Sequence, residues 1–279
     1  MQSREEPLVH RDLGTLDDTV LLFGGPYSNA QATSALLAAA QALGISSERL
    51  ICTGDVVAYC GAPRKTVDLI RSAGAVVIAG NCEKQLGQQA LDCGCGFEAG
   101  TTCDLLSNGW YNFAQSQIRD ADCVWMNACP DILSFRHHGK RYAVIHGGVS
   151  DIARFIWEVS STEVYEEEGR LLEQAIGPVD AVIAGHSGIP FKRATPQGHW
   201  INVGAIGMPP HDGSSQTRFA TLGAGAVTFH GLEYDVASAQ AEMRAAGLTQ
   251  GYEKALATGY WPSEDVLPPE SRVRSFASG

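Results

Sequence analysis

A chain of 279 residues, 44% hydrophobic and 18% charged, can bury one large core or two small ones and has the composition of an ordinary globular protein. A net charge of −11 without any basic run excludes a protein that grips nucleic acid by neutralising phosphates. The N-terminal residues are polar and no later apolar run reaches about 18 residues, so no membrane span and a cytoplasmic location are expected. There, eight cysteines read as thiols or metal ligands rather than a disulfide framework. A small anion remains an eligible substrate, since a metal or backbone amides can hold one.

Along the chain, residues 1–18 read as an N-terminal arm. Residues 19–23 form a β-rich run, and an alanine/leucine helix over 30–43 is expected to be capped by Asn29 and stopped by Gly44. A buried strand at 50–53 leads into Gly54-Asp55. Pro63 suits the first position of a helix reaching residue 73, and a third buried strand at 75–79 ends in Gly80-Asn81. Residues 84–105 read as an irregular cysteine-rich insertion. Helices are expected at 106–118 and 122–128, then strands at 132–135 and 142–145 joined by a tight turn at His138-Gly139, with His137 and His138 solvated. A helix at 161–176, a strand at 181–184, strand signals at 200–206, a hairpin over 218–235 and a helix at 236–246 complete a domain spanning 19–246. The extension 247–279 carries Tyr252, Tyr260, Trp261 and Leu267 as anchors for packing on the domain or on a partner subunit of a homo-oligomer. Strand–helix alternation giving way to strand pairs predicts an α/β fold with a mixed sheet or two packed sheets.

The chemical signal lies just past each buried strand. The segments there are FGGPYSN, CTGDVVAYCG, IAGNCEK, VIHGG, IAGHSGIP and INVGAIG. Side chains at the C-terminal ends of neighbouring strands converge on one crevice in open α/β sheets. Asp55, Asn81, His146 and His186 stand at such ends and together make an oxygen/nitrogen set suited to a hydrolytic metal ion.

The order of these motifs resembles the calcineurin-like metallophosphoesterases, in particular their YfcE-type branch. That family carries D-x-H, GD, GN-H/C-D/E, a strand-end HG, GH-T/S-H and an N-P-G-S-type turn, and the likeness here runs over residues 19–236. It implies a four-layer α/β/β/α sandwich of two mixed β-sheets flanked by helices. It also implies two metals at the strand ends and metal-activated water attacking phosphorus.

Set against that pattern, Gly25 stands at the Asp of D-x-H, Tyr27 at its His, and Gly188 at the last His of GH-T/S-H. All three positions feed one metal. The other metal's set, Asp55, Asn81, His146 and His186, is complete. Loss confined to one site points to conversion rather than decay. The expected cofactor is one divalent or trivalent transition metal per chain (Mn, Fe, Zn or Ni), serving a phosphoesterase that cleaves a small phosphorylated metabolite. Two alternatives stay open: a non-catalytic ligand-binding or regulatory protein with a vestigial metal, and a second site rebuilt from new ligands. Tyr27 either donates a hydrogen bond where the missing metal would act or only fills its space. Cys82, where many relatives carry a His, is a candidate weak acid or a spectator thiol. Glu83 is expected to orient His146 or His186, and Asn202 with Gly204 and Gly207 to shape a turn beneath the metal. Cys93, Cys95 and Cys103 lack the paired spacing of common zinc sites and read as free thiols of a lid, with a Cys93–Cys103 disulfide as a further pairing under oxidant.

Overall fold

Alternate apolar residues along the short strands face opposite ways, and this sorts the core into layers. A computed structural model of the chain describes residues 7–95 and 100–273. In chain order the elements are β1 (His10–Thr15), β2 (Val20–Phe23), α1 (Ala30–Ala42), β3 (Leu50–Cys52), α2 (Pro63–Ser72), β4 (Val76–Val77), α3 (Asn81–Gly87), α4 (Thr102–Gln117) and α5 (Asp120–Asn127). They continue with β5 (Ile132–His137), β6 (Lys140–Val144), α6 (Thr162–Ile176), β7 (Ala181–Ala184), β8 (Phe191–Thr195) and β9 (Gly198–Asn202). The last are β10 (Thr217–Gly223), β11 (Ala226–Leu232), α7 (Val236–Ala245) and α8 (Tyr252–Thr258).

One sheet has the order β1-β5-β6-β7-β9-β8 and the other β11-β10-β2-β3-β4. Val20 and Leu22 of β2 meet Val144 and Ile183 of the facing sheet, while Leu21 and Phe23 turn to α1, α2 and the helices beyond. In β7, Ala181 and Ile183 point between the sheets, and Val182 and Ala184 pack on Tyr165 and Leu172 of α6. Helices therefore flank two mixed sheets in four layers, as expected. Parallel pairing within β2-β3-β4 and among β6, β7 and β9 sends their C-terminal ends the same way within each sheet, which assembles the site.

Local signals behaved as the residue chemistry requires. Asn29 accepts the Ala32 N–H at 3.0 Å and caps α1, and Gly44 follows the helix at φ +66°. Pro63 opens α2.

Three expectations need correction, and the extension adds an element. Residues 10–15 of the arm form an edge strand paired in parallel with β5, held by backbone bonds because only Leu13 is more than marginally covered. His137 is fully buried in β5, where Nδ1 meets the Leu16 carbonyl and Nε2 accepts the Gly225 N–H. Within 84–105, α3 runs to Gly87 and α4 begins at Thr102, and residues 96–99 lie outside the described set. The extension holds a further helix, α8, ended by Gly259 at φ +74°.

The extension lies on the domain's own surface. Tyr252, Ala255 and Leu256 join the helix-side core, and the Thr102 N–H donates to Asp265 at 3.0 Å. Among the described residues no helix is long and apolar enough to cross a membrane.

Candidate metal centre

Close backbone approach builds the centre. β3 ends at Cys52, and Gly54 turns the chain at φ +92°, where a Cβ would sit 2.6 Å from the Gly80 nitrogen and 2.9 Å from His146 Nδ1. A Cβ at Gly80 would collide with the Asp55 carboxylate. These two glycines let the ends of β3 and β4 reach each other and the His146 ring. Asp55 and His186 are themselves at φ +56° and +60°, uncommon for residues with side chains and a frequent mark of functional sites. Within the facing sheet, the Gly185 N–H donates to the His146 carbonyl at 2.7 Å and ties together the segments that carry His146 and His186.

Nδ1 of His146 donates to the Thr53 carbonyl at 2.6 Å, which directs Nε2 inward. Around that atom lie Asn81 Oδ1 at 3.1 Å, His186 Nδ1 at 3.1 Å and Asp55 Oδ2 at 3.2 Å. The Asn81 amide is oriented by its own Nδ2, which donates to the Cys93 carbonyl at 2.9 Å, so Oδ1 is the atom left facing the centre. Four acceptors thus meet at one place, three of them His and Asp atoms within 4.8 Å of one another. A cation about 2.0–2.2 Å from each of several N and O donors holds neighbouring donors roughly 3.0–3.5 Å apart. The donor set fits such an ion.

The electrostatics agree. Burial raises the Asp55 carboxyl, but His146 and His186 more than offset this and leave it below its ordinary value. Burial lowers His146 while Asp55 raises it further, for a net rise. Burial and then His146 push His186 down to about 3.

Glu83 has a different part from the one expected. Its carboxylate accepts backbone N–H groups of Asp55 at 2.7 Å, Val56 at 2.8 Å and Gly80 at 2.9 Å, so it fixes the two ligand-bearing turns rather than a histidine ring. Burial and Asp55 push it up to about 7, and the N–H donors oppose that rise. Glu83→Gln sets an NH2 group against at least one of those N–H donors. The expected loss is about 1–3 kcal/mol of stability, measured by denaturant unfolding, together with weaker metal retention. An unfolding midpoint equal to wild type would show that the turns hold without it.

On the other side of Asp55, Tyr27 fills the space that the changed positions leave. A side chain at Gly25 would run into the Tyr27 ring, and one at Gly188 would begin 3.6 Å from the Tyr27 hydroxyl. The three departures from the family pattern are one steric unit: two glycines make room for one phenol. Burial, then Asp55, holds its pKa well above the ordinary value, so the hydroxyl stays protonated. The ring packs edge-on against Tyr59 at 4.8 Å and lines a cavity that also reaches His186.

Cys82 is 1% exposed, and its thiol is raised well above its ordinary pKa by burial and Asp55. It does not line that cavity; its backbone N–H donates to Asp55 Oδ1 at 3.2 Å. Asn202 accepts the Gly204 N–H at 2.9 Å and donates to Ser187 Oγ at 2.8 Å, holding the turn beneath the centre. Cys93 is bonded to Cys95 rather than to Cys103, which is a free thiol at the cavity wall. Sequence reasoning missed the Cys93 carbonyl that orients Asn81, and it missed Phe155, whose ring lies 4.3 Å from His186. A backbone carbonyl and an isolated aromatic leave no motif to find.

No protein-family model matches the chain. An uncharacterized protein of Methanocaldococcus jannaschii is 23% identical over 209 residues, covering 69% of this chain and 77% of its own. A metallophosphoesterase structure from Sphaerobacter thermophilus matches with a TM-score of 0.67 at 21% identity, over 88% of this chain and 100% of its own. A hypothetical protein from Pyrococcus horikoshii OT3 matches with a TM-score of 0.70 at 18% identity, over 86% and 98% of the two chains.

Proposed function

Because the chain has the calcineurin-like metallophosphoesterase fold, we propose that it is a phosphoesterase working with one divalent cation held by Asp55, Asn81, His146 and His186. Three acceptors gathered around His146 Nε2, which is itself the fourth, carry this reading. When bound, a divalent cation supplies a Lewis acid for a phosphoryl oxygen and makes water more acidic.

The protein's own groups set the rest. Glu83 and the Thr53 carbonyl fix where Asp55, Gly80 and His146 stand, so the donors are in place before any ligand arrives. Tyr27 closes the second metal's position and offers a neutral O–H toward the cavity. A positioned donor of this kind stabilises negative charge developing on a phosphoryl oxygen. The Phe155 ring packs on the His186 ring.

Turnover of 4-nitrophenyl phosphate by protein supplied in turn with Mn, Fe, Zn or Ni tests the reading. Metal-dependent release of nitrophenol that stops on chelation is expected. A protein with its metal bound and no turnover of this ester would belong to the rival class, a ligand-binding protein using the same crevice.

A further inference from the structure

A narrow cavity lies beside the centre and opens to solvent at its mouth. Five aromatic rings, of Tyr27, Tyr59, Phe155, Tyr252 and Trp261, are among the groups that line it, with His186 at the metal end. Among the described residues no Lys or Arg lines it. A second phosphate or carboxylate would find no counter-charge there, so the cavity suits an uncharged part of a ligand whose anionic part sits at the centre.

Two of those rings come from the C-terminal extension, and they are firmly placed. The Trp261 backbone N–H donates to His211 Nδ1 at 2.9 Å, and its indole N–H to the Pro209 carbonyl at 2.7 Å. The opposite nitrogen of His211 is 2.8 Å from Glu264, also in the extension, and both side chains are almost fully buried. Tyr252 is tilted on Tyr59 with ring centroids 4.6 Å apart. Gly188 keeps the gap open, since a Cβ there would lie 3.6 Å from both the Trp261 ring and the Tyr27 hydroxyl. The result is a fixed slot between indole and phenol rings that leads to His186.

We propose that this slot is a subsite for a flat aromatic group of the phosphate ester, and that Trp261 and Tyr252 make the extension the element that selects the substrate. The proposal rests on the phosphoesterase reading for the anionic half of the ligand. Stacking and edge contacts between the walls and a flat ring supply the selectivity, and an alkyl group of the same charge gains much less.

Phenylphosphonate and methylphosphonate separate the two halves, because they share the anionic group and neither is hydrolysed. Calorimetric titration of metal-loaded protein should give a Kd for phenylphosphonate at least about tenfold below that for methylphosphonate. Trp261→Ala should erase the difference and leave methylphosphonate binding and metal content as in wild type. Val266→Trp, which adds bulk at another lining position while keeping Trp261 and Tyr252 in place, should do the same. Equal affinities in wild type, or a phenyl preference that survives in both folded variants, would overturn the subsite. Failure of the phosphoesterase reading shows separately, as phenylphosphonate binding with no hydrolysis of any aryl phosphate.

Discussion

His146→Ala protein should purify without bound transition metal and without phosphoesterase turnover. Nε2 of this residue is the atom around which Asn81, Asp55 and His186 gather at 3.1–3.2 Å, so its loss removes one of four donors and the hub of the cluster. The variant also leaves the Thr53 carbonyl without its partner, at a cost of about 1–3 kcal/mol. Metal-free wild-type protein is therefore the proper reference for its unfolding curve. Metal retained at the wild-type level in a folded variant would mean that the ion sits elsewhere.

Tyr27→Phe should keep the metal and melt close to wild type, since the ring that fills the space beside Gly25 is unchanged. Turnover should fall by roughly 10²–10³, the usual cost of removing one positioned donor. The residue is well suited to that part: its hydroxyl stays protonated, its ring is held by Tyr59, and it faces the cavity. Unchanged turnover would reduce Tyr27 to a plug. Loss of the metal would instead make it a ligand.

Much of the centre was legible because its donors come directly after buried strands. Asp55, Asn81, His146 and His186 stand behind short strands or the glycines that end them, and topology alone brings such positions together. The two sheets were readable for the same reason, since runs such as 20–23 and 181–184 are apolar throughout. What escaped was polar and held by partners far away in sequence. β1 has no apolar alternation, and β8 is a half-exposed edge strand, FKRAT. His137 looked solvated beside the turn at Gly139, yet Leu16 and Gly225 arrive from distant segments to cover it. For Glu83 the sequence suggests a histidine partner, because a side chain suggests a side-chain partner, whereas it binds three backbone N–H groups. The aromatic slot draws on residues as far apart as Tyr27 and Trp261, and no spacing rule connects them.

Cation number is the most direct test of the whole account. Protein purified from cells supplied with Mn, Fe, Zn or Ni, and analysed by elemental mass spectrometry against protein concentration, should carry close to one ion per chain. Tyr27 closes the neighbouring position, and Gly25 and Gly188 offer no side-chain donor there. Two ions per chain at full occupancy would contradict this and point to a second site rebuilt from Tyr27, Cys82 or Glu83.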